Sequence, residues 1–148
     1  MTILPGAFPE TVTEPVRELL EEFYRLSNAA SSHTPHDKDE QRFVSLFTPD
    51  GVYEFAGKKQ VGHDAILAFR EQLFANVEHR DHPLVKVYTF GANDLELLAL
   101  GQVVYQEPGE EPHLEEWAGR YSIVPGPAGK LLFTHVQIIL NPHHPNEK

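Results

Sequence analysis

The sequence has no cysteine. That excludes disulfides, thiolate nucleophiles and cysteine-ligated zinc or iron–sulfur centres, so the fold must be held by its core. Positive charge is scarce: 12 Lys and Arg stand against 22 Asp and Glu, a formal net charge of -10. No basic cluster interrupts that balance. Nucleic acid and anionic membrane surfaces both demand a basic patch, so neither is an expected partner. No apolar run approaches the ~20 residues of a membrane span. The opening MTILPGAFPE lacks the basic stretch and apolar run of a secretory signal. The expected location is cytoplasmic.

What is present suits one globular domain. The 148 residues are 41% hydrophobic and 23% charged, enough to bury a core without metal or disulfide staples. Residues 1–11, with Pro5, Gly6 and Pro9, read as a flexible arm. Thr11 and Glu14 fit a capping box, and Pro15 fits a first helical turn. Val16, Leu19, Leu20, Phe23 and Leu26 then recur at helical spacing, predicting a helix over 12–30. After the polar SSHTPHDKD, a short helix is expected at 39–47 with Phe43, Val44, Leu46 and Phe47 as its apolar side. TPDG ends it, and VYEFAG and KKQVG read as a small hairpin bent at Gly57. Ile66, Leu67, Phe69 and Leu73 predict a third helix at 64–76. Strands follow at 79–90, 94–106, 113–124 and 130–140, separated by GAND, EPGEEP and PGPAGK. Such short links imply antiparallel pairing. The order predicts an α+β layer, a curved sheet with helices on its concave face. The domain is expected to span 12–140, with 141–148 as a flexible tail.

The segment RFVSLFTPDGVYEFAGKKQVGHDAILAFREQLF carries a resemblance. A Leu-Phe pair (Leu46, Phe47) precedes an acidic residue (Asp50) and a short hairpin. Then Gly62 leads a helix bearing Ala65, Ile66 and Phe69. In that order these residues resemble the SnoaL-like branch of the NTF2-like superfamily. HRDHPLVKVYTFGANDLELLALG, with the later Trp117, is similar to small fungal members of that branch. The resemblance covers about 12–140. It implies an α+β NTF2-like cone: three N-terminal helices packed on the concave face of a curved mixed, mainly antiparallel sheet. It also implies an apolar cavity open at one end and a homodimer through the outer sheet face. Isomerases, dehydratases, epoxide hydrolases, cyclases and non-enzymatic binding proteins share such a fold, so the fold does not fix function.

Strand alternation groups His79, Asp81, Pro83, Val85 and Val87 on one face, and its apolar end assigns that face to the concave side. A His and an Asp two apart can form an acid/base pair, the carboxylate orienting the imidazole. By the same parity His135 falls with Phe133 and Ile139, either a pocket group or a satisfied buried histidine. Tyr53 and Phe55 lie on the strand that borders the cavity in relatives, and Tyr53 could donate to a substrate oxygen. His63 reads as an exposed residue of a first helical turn. The expected catalytic set is His79 as base, Asp81 as its orienter, and Tyr53 or His135 as donor. Tyr24, Phe55, Val85, Trp117 and Tyr121 would line the pocket. The expected ligand is a small apolar or aromatic carbonyl compound. The expected chemistry is proton abstraction beside the carbonyl, followed by ring closure, loss of water or isomerisation.

Two better-known mechanisms of the superfamily are not expected. Ketosteroid isomerases carry an aspartate where this chain has Phe55, and a first-helix tyrosine where it most nearly offers Phe23. The Asp-Arg-Asp set of the epoxide hydrolases fails because Arg80 falls on the opposite face from Asp81. No cofactor and no metal are expected, since His33, His36, His143 and His144 fall in flexible-looking stretches and no HExxH motif occurs. The alternative is a non-catalytic module that binds a hydrophobic ligand, or a structural dimer joined through Leu84, Tyr88, Leu98 and Leu100.

Overall fold

The computed structural model describes residues 6–27, 37–73, 79–81, 83–106 and 109–141; for 79–81, 104–106, 113 and 141 it describes the backbone alone. Three helices form where apolar spacing places them: α1 (Glu14–Ser27), α2 (Lys38–Ser45) and α3 (His63–Leu73). Thr13, not Thr11, sits at the start of α1. Its amide and hydroxyl both donate to Asp94 Oδ2, at 2.7 and 2.6 Å. A carboxylate suits a helix N-terminus, and this one comes from the sheet, so it ties α1 down. The Thr11 hydroxyl bonds that of Thr89 instead, at 2.6 Å. Asp37 caps α2 by accepting from the amides of Asp39 and Glu40. The described part of the expected arm lies along the body of the protein. Val87 N–H donates to Ala7 O at 2.9 Å, Ala7 is buried, and Phe8 packs on the core beneath the Arg17 guanidinium.

Among the described residues seven strands make one mixed sheet: β1 (Phe47–Phe55), β2 (Lys58–Val61), β3 (His79–Asp81), β4 (Leu84–Phe90), β5 (Asn93–Gln106), β6 (His113–Pro125) and β7 (Leu131–Asn141). Their order is β2-β1-β7-β6-β5-β3, with β4 also paired to β5. Among the described residues β1 and β7 run parallel and the other pairs are antiparallel. TPDG does not end an element. The chain leaves α2 at Ser45, Leu46 O accepts from Phe133 N–H at 2.8 Å, and β1 starts at Phe47. Residues 48–51 form an irregular excursion between the pairs Phe47–Phe133 and Val52–His135. Ala56 and Gly57 both have positive φ, 51° and 84°, as the tight two-residue turn between β1 and β2 requires.

Two bulges change which side chains face the helices. In β4, Leu84 pairs with Gly101 and Lys86 with Leu100, leaving Val85 as the extra residue. Leu84 and Val87 are therefore buried while Val85 is exposed. Val85 does not line the interior, and Leu84 does not belong to the outer face. In β7, Phe133 pairs with Ile123 and His135 with Ser122, leaving Thr134 as the extra residue. Phe133, Val136 and Ile138 are buried, so His135 falls on the outer face with Gln137 and Ile139. A slip of one residue sends every later side chain to the opposite face.

The helices cover the inner face and bury one continuous apolar cluster. One charged pair lies within it. Arg70 of α3 donates from Nε to Glu40 Oε2 at 2.7 Å and from Nη2 to Glu40 Oε1 at 2.9 Å. Nη2 also reaches Leu26 O at 3.4 Å, and the guanidinium carbon lies 3.8 Å from the Phe43 ring centre. The side chains are 1% and 2% exposed. One fork thus joins the end of α1, the start of α2 and the last turn of α3. Among the described residues no helix is long and apolar enough to cross a membrane.

Candidate active site

Two glycines shape the interior. A Cβ on Gly101 would fall on the Trp117 ring and 2.6 Å from Pro83 O, so the indole can lie across β5 only because Gly101 has none. The Trp117 Nε1–H donates to Gln102 O at 2.8 Å, which holds the ring in place. A Cβ on Gly119 would stand 2.5 Å from the Tyr121 hydroxyl oxygen. Glycine within a strand marks such close approach. Room is thereby made for an aromatic assembly contributed by α1 and β6.

Tyr24 of α1 stacks on Trp117, ring centres 5.4 Å apart, and its hydroxyl is hydrogen-bonded to that of Tyr121. Both tyrosines are buried. Burial pushes the Tyr24 phenol well above the ordinary tyrosine value, helped by Tyr121 and then Tyr53. Burial also raises Tyr121, while the hydrogen bond with Tyr24 acts in the opposite sense. The mutual bond uses one of the two hydroxyl protons, so the other remains for another acceptor. Tyr53 faces the same interior beside Phe55 and Phe69, with ring centres 6.2 and 6.1 Å away. Phe23, Phe43, Phe47 and Phe133 fill the base, Phe23 lying 5.3 Å from Phe43 and 5.4 Å from Phe133.

The raised phenols give a pH expectation. Between the ordinary value of 10.0 and the higher folded-state values, the unfolded chain releases these protons while the folded one keeps them. Stability is therefore full below pH 10 and falls as pH rises above it. Ultraviolet titration of the folded protein follows the ionisation of its phenols as pH rises. Tyr24 and Tyr121 should stay silent until the alkaline unfolding transition. Their ionisation in the folded state would contradict the buried pair.

The structure brings Tyr24, Tyr53, Phe55, Trp117 and Tyr121 together on the helix side of the sheet. It does not bring His135 there. That ring lies across the sheet from Tyr53, with Nε2 3.5 Å from Glu54 Oε2 on the opposite face. Val85 is likewise excluded by its bulge. The backbones of His79 and Asp81 pair with Gln106 and Val104 of β5, but their side chains lie outside the described residues. His63 is half-buried, its Nε2 3.0 Å from Phe47 O, rather than a free residue of the first turn. Among the described residues no group of three His, Asp or Glu side chains could hold a metal ion. The tyrosine pair went unread in the sequence, although Gly101 and Gly119 inside strands were a signal that large side chains cross there.

No family model matches the chain, and no curated protein sequence matches it. Solved structures do. Nuclear transport factor 2 from Cryptosporidium parvum shares 11% identity, with 86% of this chain and 93% of that one covered, at a TM-score of 0.63. A protein from Shewanella denitrificans provisionally named a SnoaL-like polyketide cyclase shares 15% identity over 87% and 92% of the two chains, TM-score 0.64. A ketosteroid isomerase-like protein from Erwinia carotovora atroseptica shares 12% identity over 92% and 100%, TM-score 0.67. Identity this low carries the architecture and no activity. The chain has the NTF2-like fold.

Proposed function

We propose that the protein is an acid/base enzyme of the cyclase, dehydratase or isomerase kind, acting on a small apolar carbonyl compound held against Trp117. The observation that carries this is the buried Tyr24–Tyr121 hydroxyl pair. A phenol kept neutral by burial can donate to a carbonyl oxygen without ionising, and the bond strengthens as negative charge grows on that oxygen. Tyr121 is the donor, Tyr24 polarises it, and Tyr53 is a further donor from β1. His79 keeps its proposed role as base and Asp81 as its orienter, while His135 is withdrawn from the donor role by its place on the outer face. A homodimer through the outer sheet face completes the proposal.

One observation favours a second reading, a binding protein without turnover: phenylalanine rings already fill the base of the interior. One experiment separates the two. Trp117 is the sole tryptophan, so its fluorescence reports ligand entry. Aromatic ketones should quench it, and Tyr121→Phe should weaken them by roughly 2- to 10-fold, the net value of one hydrogen bond, while leaving matched hydrocarbons unchanged. Deuterium exchange beside the carbonyl, lost in His79→Ala, identifies the enzyme. Binding without exchange identifies the module. Fluorescence that responds to neither ligand class would overturn both.

A further inference from the structure

The outer face of the sheet carries exposed Tyr88, Phe90, Leu98, Leu100 and Ile139. Strand register makes them neighbours: Tyr88 pairs with Leu98, Leu98 with Arg120, Leu100 with Ala118, and Ala118 with Ile139. Ala118 between Leu100 and Ile139 leaves a trough of about 440 Å³. A second groove of about 350 Å³ runs between Tyr88, Phe90, Leu98, Glu96 and Arg120. An apolar face of this extent marks an interaction site.

Charge on the face narrows the partner. Arg120 is exposed at its centre and has no ion-pair partner among the described residues. Glu96, one row away on β5, is exposed and accepts a hydrogen bond from Ser122 at 2.9 Å. Lys86 and Glu116 are exposed on the same face, but Lys86 lies over the Tyr88 ring, 5.5 Å from its centre, and Glu116 lines the trough. Arg120 and Glu96, which flank Leu98, are complementary to the same patch turned over. When two sheet faces meet across a two-fold axis, that axis lies in the plane of contact. Each residue then lies opposite the position that mirrors it across the axis, and contacts are reciprocal.

The geometry points to a specific register for the second copy: the axis passes between Arg120 and Glu96, near Leu98, so that each Arg120 pairs with the Glu96 of the other copy. This inference rests on the outer-face dimer proposed above and adds its partner geometry. Two reciprocal Arg–Glu pairs would then flank the Leu98 side chains at the axis, with Tyr88 and Leu100 around them. Bidentate arginine–carboxylate pairing fixes orientation as well as adding attraction.

The test is a charge exchange followed by sedimentation. Arg120→Glu alone and Glu96→Arg alone should each raise the dimer dissociation constant by at least about tenfold through like-charge apposition. The doubly exchanged Arg120→Glu/Glu96→Arg protein should recover dimerisation. Both sites are exposed, so circular dichroism should show the folded state unchanged. If the wild type dimerises and the single variants dimerise equally well, the register is wrong while the outer-face dimer stands. If Leu98→Asp also leaves that dimer intact, the outer-face dimer falls. A wild-type protein that stays monomeric at high concentration removes both.

Discussion

Replacing Glu40 with alanine should lower the unfolding free energy by about 3–5 kcal/mol, the usual cost of breaking a buried ion pair by removing one partner. Arg70 would keep the Leu26 carbonyl and the Phe43 ring among its neighbours, but neither carries the negative charge that Glu40 supplies. Small domains are stable by only about 5–15 kcal/mol, so the loss is a large share of the total. Urea unfolding followed by circular dichroism measures it. A double change, Glu40→Leu with Arg70→Met, should recover most of the loss, because removing both charges also removes their desolvation cost. A single-variant loss below about 1 kcal/mol would mean that the fork does not hold the helices together.

Gly101→Ala should have the other large effect, and by a different route. The backbone there does not require glycine; the Trp117 ring and the Pro83 carbonyl do. Neither is the loose end of a flexible side chain. A methyl group must push the indole off β5, breaking the bond to Gln102 O and the stack with Tyr24. Overpacking of this kind costs about 1–3 kcal/mol and sometimes more. The same variant should show red-shifted tryptophan emission and weaker ligand quenching. An unshifted spectrum with unchanged stability would show that the indole does not lie where it closes the interior.

Much of the architecture was legible because it rests on periodicity. The apolar positions of α1, α2 and α3 recur at helical spacing, and the long strands alternate. The failures have local causes. Val85 and Thr134 are single inserted residues, and nothing in LVKV or FTHV announces a bulge, so the faces of Val85, Leu84 and His135 came out reversed. TPDG looks like a stop, yet the hydrogen bond from Phe133 N–H to Leu46 O draws the chain directly into the sheet. Thr13 displaced Thr11 as the cap because Asp94, far away in sequence, supplies the acceptor. The Glu40–Arg70 pair was readable in part. Arg70 lies four residues after Ile66, on the apolar face of α3, and Glu40 lies three before Phe43 on the apolar face of α2. Two opposite charges on two apolar faces call for each other. The interior tyrosines lie on the helix side of the sheet, but their pairing depends on how α1 crosses β6, which no local pattern encodes.

The central claim is that a carbonyl ligand reaches the Tyr24–Tyr121 hydroxyl pair beside Trp117. Nuclear magnetic resonance of protein labelled with carbon-13 at the tyrosine ζ position tests it most directly, because that carbon senses the bond made by its own hydroxyl. On titration with an aromatic ketone, the Tyr121 and Tyr24 signals should move together and saturate with the quenching of Trp117, while the exposed Tyr88 signal stays still. If only Tyr88 moves, the ligand sits in the groove of the outer face, and the interior site proposed here is wrong.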